Sequence, residues 1–227
     1  MIDKTSIFAP GYAVRAPLVH WLAEEARLAG KRERHPRLLD VGCGDMPYEH
    51  LFRPAVAEYV GVDIANPRAD LEGTVEDIPV PEGSFELVLC TQTLEHANDP
   101  AQAVRELRRV VAPGGRVLVS THGVQVYHPN PVDFWRWTHA GLKRLFRENG
   151  DWSAVTVKPG SGTAACVGML IAHYADLLAK RARVRPLGVP IVAAANLAGR
   201  GFDRVVPGLW EPQPGTIFAN YHVVAEP

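Results

Sequence analysis

Short apolar runs alternate with amphipathic stretches through the first two thirds of this chain, and that alternation leaves few folds open. RLLDV (37–41), EYVGVDI (58–64), FELVLCT (85–91) and RVLVST (116–121) are too short for helices and lack strict polar alternation. Runs of this kind suit strands buried on both faces of a parallel sheet. Helical stretches separate them. Residues 16–30 place Leu18, Leu22, Ala26 and Ala29 at helical spacing before Gly30. In NDPAQAVRELRRVVAPGG, Asp99 is a good N-cap and Pro100 takes the first helical position. Val104, Leu107 and Val111 form its stripe, and Pro113-Gly114-Gly115 is expected to end the helix. Another helix starts at Thr138, carries Leu142, Leu145 and Phe146, and stops at Asn149-Gly150. SAVTVKP (153–159) and ANYHVVAEP (219–227) supply two late strands. Strands alternating with helices imply right-handed crossovers and an open α/β sheet.

At 227 residues the chain is expected to form one domain with a sizeable core. Its net charge of -1 provides no global field to recruit nucleic acid or an acidic membrane, so no nucleic-acid partner is expected. The basic runs KRERHPR (31–37) and KRARVR (180–185) read as solvated faces. Cys43, Cys90 and Cys166 are odd in number and far apart, and MIDKTSIFAP is too polar for a secretory leader. A reducing cytoplasm is the expected location. No stretch supplies the roughly 20 clean apolar residues of a membrane span.

The stretch LLDVGCGDMPY (38–48) narrows the ligand. A glycine turn at the carboxyl end of the first strand is where an open α/β sheet binds nucleotides. A dinucleotide fingerprint needs a third glycine at position 47, where Pro47 stands, and no lysine follows to make a P-loop. Asp40 and Asp45 would repel a pyrophosphate. A ligand carrying an ammonium or sulfonium would be attracted, and S-adenosylmethionine (SAM) has both.

These residues resemble the class I SAM-dependent methyltransferases, type 11-like, over about residues 35–160 and 216–226. DVGCGD is similar to their first motif, with Asp40, Gly42, Cys43 and Gly44 at the cofactor and Met46 in place of the usual third glycine. Asp63, 23 residues after Asp40, matches the acid that takes both ribose hydroxyls, with Ile64 beside it. GTVEDIPVPEGSFELVLCTQTLEH resembles the third and fourth motifs. The resemblance puts Thr74, Val75 and Glu76 near the adenine, and Thr91, Gln92 and His96 near the methionine part. Thr74 replaces the acid that commonly grips the adenine amino group. LRRVVAPGGRVLVS is similar to the helix, turn and strand that follow. The implied fold is a Rossmann-like doubly wound, mostly parallel seven-stranded sheet, with a late antiparallel strand and a helical insertion between the last two strands.

Methyl transfer from a sulfonium needs in-line positioning and sometimes a base. The sequence has no HExxH helix, paired cysteines or i, i+4 ligand pair, so no metal is expected. STHGVQVYHPNPVDFWRWT (120–138) is dense in working side chains. His128 and His122 are the candidate bases, with Asp133 and Arg136 orienting the loop or the acceptor. The pattern resembles a subgroup associated with surface-glycan and natural-product assembly. The expected reaction is methyl transfer to an oxygen or nitrogen of a small polar acceptor, a sugar-like or secondary-metabolite scaffold. The alternative is a SAM-binding protein without transfer activity, a partner subunit or sensor.

Residues 1–35 are expected to form an N-terminal helical cap, with FAPGYAVR (8–15) folding over the cofactor through Tyr12 or Arg15. Residues 160–215 are expected to be the helical insertion, capping the acceptor side. Its stretch TAACVGMLIAHYADLLAK (163–180) is apolar nearly all round. Such a helix on a soluble chain needs a cover. In order of preference the cover is the chain's own domain, a second copy in a homodimer, or a lipid-like acceptor or membrane surface, the membrane met through Arg181, Arg183 and Arg185.

Overall fold

In the computed structural model, which describes residues 5–64, 66–129 and 131–227, the run RLLDV becomes an interior strand of the sheet. This strand, β1 (Arg37–Val41), pairs in parallel with β2 (Glu58–Asp63) on one side. On its other side lies β4 (Phe85–Thr91), also parallel. Every residue of β1 after Arg37 is buried, as coverage of both faces requires. The two-residue β3 (Leu71–Glu72) extends the β2 edge in parallel. With β5 (Val111–His122), β6 (Ala154–Pro159) and β7 (Asn220–Glu226), the seven strands follow the order β3-β2-β1-β4-β5-β7-β6. The fold is Rossmann-like, mostly parallel with one antiparallel strand. Chain order reverses between β1 and β4, and such a switch point opens a crevice beyond the carboxyl ends of the strands.

Helix signals read from the sequence hold at their caps. The side chain of Asp99 accepts from Gln102 N at the start of α3 (Pro100–Val110). That of Thr138 accepts from Gly141 N at the start of α4 (His139–Glu148). The first helix, α1 (Tyr12–Ala29), begins four residues earlier than position 16 and tolerates Pro17. Short α2 (Glu49–Phe52) follows the glycine turn. Val111, placed on the helical stripe by its spacing, is instead the first residue of β5, paired with Phe85. Strand register then jumps to Leu87 with Arg116, so Pro113, Gly114 and Gly115 form a bulge inside one strand.

The chain divides into two compact units, one of residues 1–20, 122–127 and 159–221, the other of 21–121, 128–158 and 222–227. The first contains the insertion, which is helical: α5 (Thr163–Arg181) and α6 (Arg185–Val205). Glycines let the two helices touch. A Cβ at Gly199 would lie 2.6 Å from the Ala164 carbonyl oxygen, and one at Gly168 would lie 2.6 Å from that of Ala195. Asp203 supplies the cap that Gly162 lacks, accepting from Ala164 N at 2.8 Å and Ala165 N at 3.1 Å. Ala13, Val14, Cys166, Met169 and Ala219 form the core of this unit. Among the described residues, no helix is long and apolar enough to cross a membrane.

Candidate functional site

The turn after β1 depends on two glycines for different reasons. Gly42 has φ 70° and is crowded: a Cβ there would lie 2.3 Å from Thr93 Oγ1. Gly44 has φ 50°, but a Cβ there would meet nothing within 4 Å. The position of the family's third glycine, Met46, is itself left-handed at φ 51°. A side chain pays roughly 1–2 kcal/mol to sit there. The compensating glycine lies on β2: a Cβ at Gly61 would be 2.4 Å from Met46 Cε and 2.9 Å from Cys43 Sγ. The missing loop glycine has thus reappeared under the loop.

Two carboxylates flank this turn. Asp63 Oδ2 accepts from Gly44 N at 2.6 Å and Oδ1 from Ile64 N at 2.7 Å. Each carboxylate oxygen has a second lone pair, so two acceptor sites remain for a vicinal diol. Asp40 is buried; its Oδ2 accepts from the Tyr59 hydroxyl at 2.6 Å, and its Oδ1 has no partner among the described residues. Burial pushes the Asp40 carboxyl up to about 6; the Tyr59 hydrogen bond opposes the rise and the Asp63 charge adds to it. Cys43 is driven up to about 12 by burial and by the same two acids, which makes it an inert thiol. An unpartnered buried carboxylate oxygen, an open space at Gly44 and spare lone pairs on Asp63 fit a ligand with a cation and a ribose.

The remaining cofactor candidates vary in what their side chains do. Ile64 is 64% exposed, an apolar surface beside Asp63, while Val75 is buried. Thr74 Oγ1 accepts from the backbone of Glu76 and Asp77, making a tight turn. Glu76 Oε1 accepts from Asp99 N at 2.5 Å, so its carboxylate braces the start of α3. Thr91 is buried at the end of β4. Gln92 is left-handed at φ 56° and its Nε2 donates to Ser120 Oγ at 2.7 Å. Sequence reading missed Tyr59, Thr93 and Asn66, whose Nδ2 donates to the Gly44 carbonyl at 2.6 Å. The one local signal was Gly61, since an isolated glycine inside a strand marks close approach of another backbone or side chain.

The candidate acceptor loop is stitched to the 3-10 turn Leu94–His96 that follows β4. Backbone N–H groups of Phe134 and Trp135 donate to the Glu95 carbonyl at 2.8 and 3.2 Å. Trp135 Nε1 donates to the Ala97 carbonyl at 2.7 Å. His96 Nδ1 lies 3.0 Å from the Val132 carbonyl. A carbonyl only accepts, so in this contact Nδ1 carries the proton and the neutral ring keeps its lone pair on Nε2. Burial, with the nearby His128, lowers the His96 pKa against the pull of that hydrogen bond. The His96 and His128 rings stack. Asp133 accepts from His128 N at 3.3 Å and from Arg136 Nη2 at 2.5 Å. Burial raises the Asp133 pKa, but the Arg136 hydrogen bond and charge prevail and hold it below the usual carboxylate range. The structure therefore brings together His96, His128, Asp133 and Arg136. His122 closes β5 and is buried. In the first unit, Tyr12 accepts from Arg200 at 2.5 Å, which ties the N-terminal stretch to α6. No group of three metal-binding side chains occurs among the described residues.

Known proteins are similar to this chain in sequence and in fold. The family model described as a methyltransferase domain covers residues 16–151. The ubiquinone biosynthesis O-methyltransferase of Pseudomonas aeruginosa (strain LESB58) is 30% identical over 138 residues, 52% of this chain and 56% of that protein. The chain thus spans little more than half of the relative's length. The structure titled a putative sarcosine dimethylglycine methyltransferase from Galdieria sulphuraria aligns with a TM-score of 0.57 at 16% identity, covering 93% of this chain and 86% of its own. The [4+2]-cyclase SpnF also aligns at 0.57, with 19% identity over 92% of this chain and 80% of its own. Those two likenesses speak for the fold. A family match across more than half of the chain, on a glycine turn whose acids suit a cation, establishes that the chain belongs to the class I SAM-dependent methyltransferases.

Proposed function

We propose that this protein transfers the methyl group of SAM to an oxygen or nitrogen of a small polar acceptor, such as a sugar-like or secondary-metabolite scaffold. The observation that carries the reading is the pair of acids at the glycine turn, Asp40 beneath it and Asp63 bonded to Gly44 N. Asp63 would hold the ribose hydroxyls, and Ile64 and Val75 would contact the adenine. Asp40 would favour the cationic methionine end through its field. When bound, SAM supplies an electrophilic methyl on a sulfonium. The chain's own residues would place the acceptor atom in line with that methyl and take the proton the acceptor loses.

His128 is our candidate for that base, with His96 stacked beside it and Asp133 and Arg136 fixing the loop. His122 is the second candidate. Exposed Val132 and Phe134 on the same loop would offer an apolar surface to the acceptor. The O-methyltransferase name of the relative favours oxygen over nitrogen as the atom methylated. A neighbour titled a cyclase keeps the alternative open, a SAM-binding protein that does not transfer the methyl.

Calorimetry with SAM tests the first half of the proposal. Transfer of a radiolabelled methyl from SAM to panels of hydroxyl- and amino-bearing sugars and phenols tests the second. Absence of SAM binding refutes the whole reading, whereas binding without labelling of any acceptor favours the alternative.

A further inference from the structure

One side of the α5–α6 hairpin meets its own unit. Cys166 and Met169 join the core with Ala13, Val14 and Ala219, and Asn196 Nδ2 donates to the carbonyls of Ile7 and Ala9. At about 100° per residue, the opposite side of α5 carries Val167, Ile171, Tyr174 and Leu178. The corresponding side of α6 carries Leu187, Ile191 and Val205. Both stripes lie on the sides of their helices opposite the residues that meet the core of the unit. They are open, with Ile171 at 52%, Leu187 at 67% and Val205 at 74% exposed. The chain's own described residues do not cover them.

Charge decides among the remaining covers. Residues 163–205 hold six of the chain's 24 Lys and Arg but two of its 25 Asp and Glu. That is a surplus of four cations within a chain of net charge -1. Both acids are already engaged: Asp203 caps α5, and Asp176 pairs with Lys180 at 2.5 Å. Arg181 continues the apolar stripe one turn after Leu178, and Arg183 and Arg185 are exposed at the turn between the helices. Among the described residues, none of these three arginines pairs with a carboxylate. A second copy of the hairpin would bring the same surplus against itself. A layer of lipid phosphates would neutralise it, and an apolar stripe bordered by arginine is the pattern of helices that lie in a membrane interface.

We propose that this outward face docks on the surface of an anionic lipid bilayer, with the apolar stripes in the headgroup boundary and Arg181, Arg183 and Arg185 on the phosphates. Neither helix would cross the bilayer.

Co-sedimentation of the full chain with vesicles tests the proposal. The chain should bind vesicles of phosphatidylglycerol mixed with phosphatidylcholine, leave them as salt is raised, and ignore phosphatidylcholine alone. The triple variant R181E/R183E/R185E should lose about 100-fold in partitioning, because each cation near an anionic surface contributes about five-fold. Ile171→Gln with Leu187→Gln should weaken binding by about 10-fold or more through lost apolar burial. All these positions are exposed, so circular dichroism and SAM affinity should stay as in the parent. Equal sedimentation with both vesicle types, or undiminished binding by the triple variant, overturns the proposal. So does a chain that ignores vesicles but forms a dimer broken by the two glutamine substitutions, which would assign the face to a second copy.

Discussion

The rings of His96 and His128 lie 5.0 Å apart, centroid to centroid, with 25° between their planes. Thirty-two positions separate them in the chain, and neither a helical nor a strand period relates them. They meet because the loop backbone is fastened to the 3-10 turn at Glu95 and Ala97. On the same loop Asp133 accepts from His128 N and from Arg136.

If His128 is the base, His128→Ala should lower turnover by about 10²–10⁴-fold, the usual contribution of general base catalysis. SAM affinity should not change. His96→Ala and His122→Ala locate the function further: a comparable fall in one but not the other identifies the partner. Full turnover in all three would mean that positioning alone drives the reaction, or that another group takes the proton. Single-turnover kinetics separates these effects from product release.

Asp63 already accepts two backbone hydrogen bonds. Replacing it with alanine should cost SAM about 1.5–3 kcal/mol of charge-assisted bonding, or roughly 10- to 150-fold in affinity. Unchanged affinity in calorimetry would remove Asp63 from the ribose.

The two loop glycines should respond differently to alanine. Gly44→Ala meets open space, so its cost is the left-handed backbone alone, about 1–2 kcal/mol. Gly42→Ala adds the collision with Thr93 and should destabilise more in urea titrations. Thr93→Ala should recover part of the difference between them, since Thr93 Cβ itself would lie 2.9 Å from the new Cβ, and none of the backbone part. Equal losses at the two glycines would contradict the crowding.

Two buried groups should give opposing pH dependences. Asp40 is raised to about 6, so the folded chain binds more protons than the unfolded one between about 4 and 6, and this group's contribution falls as pH rises. His222, buried and stacked on Trp21 with centroids 4.4 Å apart, is lowered by burial to about 4. Here the unfolded chain binds more protons between about 4 and 6.5, so this contribution rises with pH. Each amounts to about 3 kcal/mol, since one pKa unit corresponds to 1.36 kcal/mol. Asp40→Asn should therefore leave stability that climbs with pH from 4 to 6, and His222→Phe stability that declines. Thermal melts across that range check both slopes; parallel profiles in the two variants would refute the assignment.

By itself, the sequence determined what local physics controls. Short apolar runs between turn signals suit buried strands, Asp99 and Thr138 cap the next turn of backbone, and Gly42 and Gly44 accept positive φ. The acids around the turn favoured a cationic ligand over a pyrophosphate, and that choice needed no coordinates. Tertiary structure decided whatever depends on strand register or on segments far apart in the chain. Register sets Asp40 opposite Gly61, under the loop whose missing glycine Gly61 replaces. Pairing with Phe85 takes Val111 out of the helix and folds the proline-glycine stop into a strand. A contact across more than 30 residues joins His96 to the Val132 carbonyl, on the loop that carries His128. The insertion was legible as apolar helix, but which side remains open follows from where Gly168, Gly188 and Gly199 let α5 and α6 touch. A helical period gives the stripes, and only the packing of one helix on the other selects the buried one.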